Sequence, residues 1–463
     1  MTAQHISTAK LPPPDPNGVA SMWAGRARVS AIARLNRLPV TSFYRQLLWI
    51  LGFIFFFDLA NINTLSYAAP AIIKYWHVPI STIAFLNSAT FAGMFVGAIT
   101  AGWVSDRFGR KKTLLFTTLW YAGFSLLNAI VWEPTGLFIT RLLTGVGVSA
   151  MTVVGIAYIS EIFPARIRGA YQGWIMAIGL SGVPATAYVA RAFIPMAPWG
   201  WRAVFIWGAL AILFPLFYGA LEESPRWYEN QGRFDEADAA LDRIEARVRS
   251  EVGELPPLAP SIDFPPLREK TGERLSRIYL PRLTLLVTAW VCITVGFFGF
   301  TSWVPTLLVA HGFSLVHSLA WSSTMSLTAI PGALLAGLIA DRVDRKWSTT
   351  VVAIVIAACG VAYGLTFRVT LIIAFGMLIE LFIHTFMPLM YSYTAESFPA
   401  EIRNLGTGVS YGAGRLANVF SPLLIAFVFR HSGYTSVFVF ISVAWVLTAI
   451  VIGSFGLRSR SLV

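Results

Sequence analysis

Charge is the scarcest component of this chain. Only 13% of its 463 residues are Asp, Glu, Lys or Arg, against 56% hydrophobic, and the mean hydropathy is +0.66. Soluble domains carry roughly a quarter charged residues, so the composition excludes a soluble enzyme or binding module and points to a chain that crosses the bilayer many times. Cysteine is almost absent: Cys292 and Cys359 both lie in apolar runs and offer neither a disulfide framework nor metal-ligand spacing. Acids are outnumbered by bases, 23 to 35. On a soluble domain that excess would suggest nucleic acid. Here the basic residues fall mainly in alternate loops, so membrane topology accounts for them and no nucleic-acid partner is expected. No nucleophile–base pair, nucleotide fingerprint or metal cluster is visible, so neither an enzyme nor a cofactor is expected.

What the chain does have is apolar runs. About 20 such residues cross the hydrocarbon core, and twelve runs qualify: about 47–70, 82–103, 113–132, 137–159, 169–192, 202–221, 283–308, 319–339, 349–367, 371–391, 404–429 and 436–456. The fold class expected is an all-α membrane protein, twelve transmembrane helices in two six-helix pseudo-repeats. Its parts are a basic arm (1–46), read as disordered, a first bundle (47–221), a central loop (222–282), a second bundle (283–456) and a short tail (457–463). Phe234, Ala237, Leu241, Ile244 and Val248 recur at helical spacing in the central loop and predict an amphipathic helix there. One set of loops carries Arg107, Arg110, Lys111, Lys112, Arg166, Arg168, Arg342, Arg345, Lys346 and Arg403, while the other carries little beyond Lys74, Arg202, Arg368 and Arg430. The positive-inside rule therefore places both termini and the central loop in the cytoplasm.

The halves repeat one another. Gly102-Trp-Val-Ser-Asp106-Arg107-Phe-Gly109-Arg110-Lys111-Lys112 recurs 235 positions later as Gly337-Leu-Ile-Ala-Asp341-Arg342-Val-Asp344-Arg345-Lys346-Trp347. The same offset maps Glu161, Pro164 and Arg168 onto Glu396, Pro399 and Arg403, and Pro70 onto Pro305. Parallel repeats with a site between them are a transporter architecture. These motifs, with Arg141-Leu-Leu-Thr-Gly145-Val-Gly147 and Glu223-Ser-Pro-Arg226, resemble the major facilitator superfamily, in its sugar-porter-like branch. Glu222 stands where that branch usually has Pro. The span-seven text Val295-Gly-Phe-Phe-Gly-Phe-Thr-Ser-Trp-Val-Pro305 lacks the sugar-porter pattern and is closer to bacterial niacin and aromatic-acid carriers. Gly414-Arg415-Leu-Ala-Asn418-Val-Phe-Ser421-Pro422 is similar to organic anion transporters, where that Arg is implicated in anion binding.

Ionisable residues inside spans are costly, about 2.5–3.5 kcal/mol each on insertion scales, so each is a functional candidate. Asp58 follows Phe55, Phe56 and Phe57 and is the candidate proton carrier. The resemblance implies that Arg141 of span four is its partner in a protonation switch; the competing reading is an Arg that snorkels to the interface. Arg415, with Tyr411 and Asn418 about one turn to either side, is the candidate carboxylate ligand, the competing reading being an internal bridge to Glu380. Glu380 and His384 share a helix face and are expected to line the cavity. Trp290 and Phe297, with Trp303 and Tyr391, are read as aromatic walls. Asp106, Arg107, Glu161, Arg168, Asp341, Arg342, Glu396 and Arg403 are read as gate residues, with Asp106 accepting from a helix of the other half.

The function expected is proton-coupled transport of a small organic anion, an aromatic or heterocyclic carboxylate, by alternating access. A sugar or polyol symporter, an organic cation carrier and a non-translocating nutrient receptor are the rivals. The expected partners are the substrate, H+ and the bilayer, and the expected setting is a monomer in a bacterial inner membrane.

Overall fold

The computed structural model describes residues 29–258, 279–340, 342–399 and 402–458. Eleven helices in it are long and apolar enough to cross a membrane. Spans one to six are Ser42–Trp76, Ile80–Phe108, Arg110–Ile130, Pro134–Ile162, Ala165–Met196 and Trp201–Tyr218; spans seven to ten are Leu280–Thr301, Leu315–Ile339, Arg345–Leu365 and Val369–Glu396. The eleventh helix, Leu405–Phe455, is 51 residues long, about twice what the bilayer needs at 1.5 Å per residue. It breaks at Gly433, where φ is 78° and ψ −172°. Just beyond, Thr435 donates to the carbonyl of Gly364 at the end of span nine, and Tyr393 at the end of span ten reaches back to the carbonyl of Leu457. The chain therefore reverses at Gly433 and makes spans eleven and twelve, for twelve crossings among the described residues.

Each half has its own core. In the first, spans two and four cross with their backbones almost touching: a Cβ added at Gly93 would stand 1.9 Å from the carbonyl oxygen of Leu142, and one at Gly145 2.2 Å from that of Thr90. Small residues permit this approach, and van der Waals packing drives helix association in lipid. Gly145→Val should therefore lower stability by about 3 kcal/mol or more, because rigid backbone rather than a pliable side chain opposes it. Thermal unfolding in detergent checks this against Gly123→Ala in span three, where nothing lies within 4 Å and no loss is expected.

The halves meet along spans two with eleven and five with eight. At the end away from the basic loops, Leu319 of span eight joins the cluster of Leu65, Tyr67, Ile83 and Leu86, and Ala84 joins the core of the second half. That end is sealed. Nearer the basic end, Tyr391 is 40% exposed.

The arm corrects one expectation. Residues 31–36 form a short helix and span one begins at Ser42, so this stretch is ordered; 1–28 lie outside the described residues. Arg34 bonds Glu245, Asp238 and Asp242 of the central helix Phe234–Val252, and Arg37 bonds Glu245. Partial burial works to raise the Glu245 carboxyl, but its two arginines outweigh that and hold it below the ordinary glutamate value. The adjacent face of the central helix, Leu241, Ile244 and Val248, packs into the core of the first half. Glu222, the departure from the family pattern, binds Arg243 at 3.0 Å and Arg247 at 3.4 Å and so ties that helix to the end of span six.

Candidate functional site

Arg415 of span eleven reaches across the boundary between the halves. Its Nη1 donates to Ser149 of span four and its Nη2 to the Tyr411 hydroxyl at 3.0 Å. The guanidinium lies 4.8 Å from the Tyr411 ring centre, a cation–π arrangement. Tyr411, Tyr391 and Trp290 form an aromatic cluster with centroids 5.0 to 5.5 Å apart. Trp290 is fully buried, donates to Thr394 at 3.0 Å and packs against the two tyrosines. No carboxylate forms an ion pair with Arg415 among the described residues, and the bridge to Glu380 is not made. Glu380 Oε2 instead lies 3.4 Å from His384 Nδ1 of the same helix.

Asp58 is 1% exposed. Its Oδ2 accepts from Thr152 of span four at 2.9 Å, and its Oδ1 has no hydrogen-bond partner among the described residues. It is not paired with Arg141. That guanidinium, also 1% exposed, donates to Thr90 at 3.1 Å and Thr64 at 3.2 Å. The reason is axial. Thr64 lies six residues beyond Asp58, and Arg141 eleven residues from Thr152, offsets of about 9 and 16 Å at helical rise. The cation within electrostatic range of Asp58 is Arg415. The implied Asp58–Arg141 pair is thus replaced by an Asp58–Arg415 juxtaposition. Arg141 is not a snorkelling residue either, since its head is buried among threonines.

Other candidates divide. Phe297 edges onto His384 and onto Phe298, which meets Phe91 of the first half. Asn418 is buried with its Oδ1 unpartnered. Trp303 is not an aromatic wall: it is 1% exposed in the core of the second half, thirteen residues beyond Trp290 and so about 20 Å further along the bundle. A separate cavity of about 760 Å³ opens at the basic end of spans seven, ten and twelve. Its lining is mostly apolar and holds none of the candidate residues.

The gate residues bond within their own halves. Arg110 takes Glu161 through Nε and Nη2 at 2.9 to 3.1 Å, and Asp106 through Nη1 at 2.6 Å. Arg345 pairs with Glu396, the repeat-related counterpart. The Asp106 carboxylate therefore does not lock to the other half here; its backbone carbonyl accepts from Trp227 and Gln231. The acid at the N-terminus of span three is Glu223, whose Oε1 accepts the N–H groups of Arg110 and Lys111 at 2.8 and 2.9 Å, a favourable charge there. Gly109 allows this, having φ of 97° and no side chain where Glu223 approaches. Arg168 donates to the Phe163 carbonyl, Arg107 stacks near Trp103 and Phe108, and Arg342 and Arg403 are exposed. Asp341 lies outside the described residues.

Sequence reading missed Ser149 and Thr152. The signal was available: Arg141, Gly145, Ser149 and Thr152 follow one another at four, four and three residues and so share a face of span four.

The arrangement offers a cation beside aromatic rings and a buried acid near it, with no metal-binding cluster among the described residues. Residues 41–456 match the family described as Sugar (and other) transporter. The chain is 41% identical over 92% of its length to the putative metabolite transport protein YyaJ of Bacillus subtilis, of which it covers 95%. It is 28% identical to the niacin transporter NiaP of Acinetobacter baylyi, over 91% of this chain and 95% of that one. Its fold matches the partially occluded inward-open xylose transporter XylE from E. coli, with a TM-score of 0.70 at 17% identity, covering 91% of this chain and 99% of that one. Twelve crossings in two repeats, a polar site between them and these likenesses lead to one assignment: the chain is a multi-pass membrane transporter of metabolites, not an enzyme, and it belongs to the Sugar (and other) transporter family of the major facilitator superfamily.

Proposed function

We propose that the chain is a proton-coupled carrier of a small organic anion, an aromatic or heterocyclic carboxylate, acting as a monomer in a bacterial inner membrane. The basic end and both termini face the cytoplasm, so the sealed end faces out and the site opens inward. The observation that carries this reading is Arg415. It is a guanidinium at the boundary of the halves, beside Tyr391 and Tyr411, with no ion-paired acid among the described residues. A planar fork of donors matches a carboxylate, and the adjacent rings suit a flat apolar body. Asp58 is the proton carrier: it is a buried carboxylate across the boundary whose one bonded oxygen takes a hydroxyl rather than a cation. The niacin transporter among the relatives carries a compound of this class.

Proteoliposomes with an acidic exterior test the reading. They should concentrate nicotinate or benzoate above protein-free liposomes, and a protonophore should return the level to equilibrium. Accumulation of xylose that neither carboxylate inhibits would put the sugar reading first.

A further inference from the structure

Opposite charges on the two halves, Asp58 and Arg415, lie within electrostatic range of each other yet are not joined. Each is bonded to a different hydroxyl of span four, Asp58 to Thr152 and Arg415 to Ser149. Three residues separate those hydroxyls, so they project from one face, about 4.5 Å apart along the axis. The Asp58 oxygen that Thr152 leaves is buried with no partner among the described residues, although a guanidinium–carboxylate contact would be the stronger bond in so dry a place. The hydroxyls thus act as a shelf that parks the cation beside the acid and leaves it able to take a third charge.

We propose that a substrate carboxylate and ionised Asp58 compete for Arg415 across the boundary between the halves, with Ser149 as the positioning residue that keeps Arg415 turned to the substrate. This rests on the organic-anion reading above. Two anions in the field of one guanidinium repel each other, and protonating Asp58 removes one of them. Proton and carboxylate therefore bind together, and each raises the affinity of the other by the same factor. The charged and titratable groups facing Asp58 are Arg415 and Tyr411 from span eleven and Tyr121 from span three; those facing Arg415 are Tyr411, Tyr391 and Asp58. The tyrosines and the arginine ordinarily titrate well above the carboxyl range, so of these groups Asp58 is the first to take up a proton as pH falls. The sign follows: carboxylate affinity is greatest where Asp58 is protonated and falls as pH rises through its titration.

Binding of nicotinate and benzoate to purified full-length protein, by calorimetry across about pH 5.5 to 8.5, where both probes stay anionic, is the test. Wild-type affinity should fall about tenfold over that range, while Asp58→Asn and Asp58→Ser, two neutral variants in case one fails to fold, should bind with little pH dependence. Ser149→Ala frees Arg415 to swing onto Asp58, so its affinity should drop about tenfold at the alkaline end and recover at the acid end. The double variant Ser149→Ala/Asp58→Asn should recover affinity at every pH, and Ser149→Thr, which keeps the hydroxyl, should resemble wild type. A wild-type pH slope that survives in both Asp58 variants, or a Ser149→Ala loss that Asp58→Asn does not rescue, overturns the competition. If folded wild-type protein binds neither carboxylate at any pH, the organic-anion reading falls, and this proposal with it.

Discussion

Replacing Arg415 with alanine is expected to abolish saturable carboxylate binding while leaving a folded protein. The expectation follows from what the side chain touches. Its partners are Ser149, a hydroxyl that can turn to its own helix, and Tyr411; no acid is ion-paired with it among the described residues, and Asp58, which lies in its field, keeps its bond to Thr152. Removing one partner of a buried ion pair typically costs 3–5 kcal/mol of stability, and that penalty does not apply here. Binding should bear the loss instead. Arg415→Lys keeps the charge but loses the planar fork and the stacking on Tyr411, so affinity for nicotinate should fall by about 1–3 kcal/mol, roughly tenfold to a hundredfold. Calorimetric titration beside thermal unfolding separates the two effects. Wild-type carboxylate affinity in the lysine variant would remove Arg415 from the substrate site. Loss of folding in every Arg415 variant would make it a structural residue.

Asp58→Asn is expected to eliminate uphill accumulation while sparing exchange of substrate between the two sides. A neutral amide in place of Asp58 mimics the protonated acid, keeps the bond to Thr152 within reach and cannot release a proton. Without that release the carrier can exchange loaded for loaded forms but cannot link substrate movement to the pH gradient. The accumulation ratio in proteoliposomes should drop to the protein-free level, with counterflow of labelled against unlabelled nicotinate preserved. A variant that still concentrates substrate at the wild-type ratio would take the proton away from Asp58. Glu380, buried beside His384 on span ten, would then be the next acid to test.

Most of the architecture was legible along the chain, and the reason is the solvent. In lipid the backbone must satisfy itself within each helix, so apolar runs of the right length became spans with little freedom to do otherwise. The Asp106–Lys112 loop and its copy 235 residues on gave the repeat, and the paired acids Glu161 and Glu396 do take the repeat-related Arg110 and Arg345. The stretch Ala31–Asn36 was misread because its local composition carries no information about the acidic face of a helix some two hundred residues away. Trp303 was misread for a similar reason: an aromatic residue near the end of a span has the same local appearance whether it faces a ligand or a core.

By itself the sequence determined the number of crossings, the parallel repeat, the family and the list of ionisable residues that lipid would not tolerate without a purpose. It did not determine which of those residues meet. Asp58 and Arg141 look like partners on a motif basis, but the helical rise sets them turns apart. Arg415 and Ser149 are separated by 266 positions and share no motif, yet the packing of span eleven against the first half brings them into contact. A charge on a helix fixes only its own height and face. Its partner is set by how the helices cross, and those crossings follow from small residues such as Gly93 and Gly145 and from the docking of one half on the other, so the pairing at the site was decided by the tertiary structure.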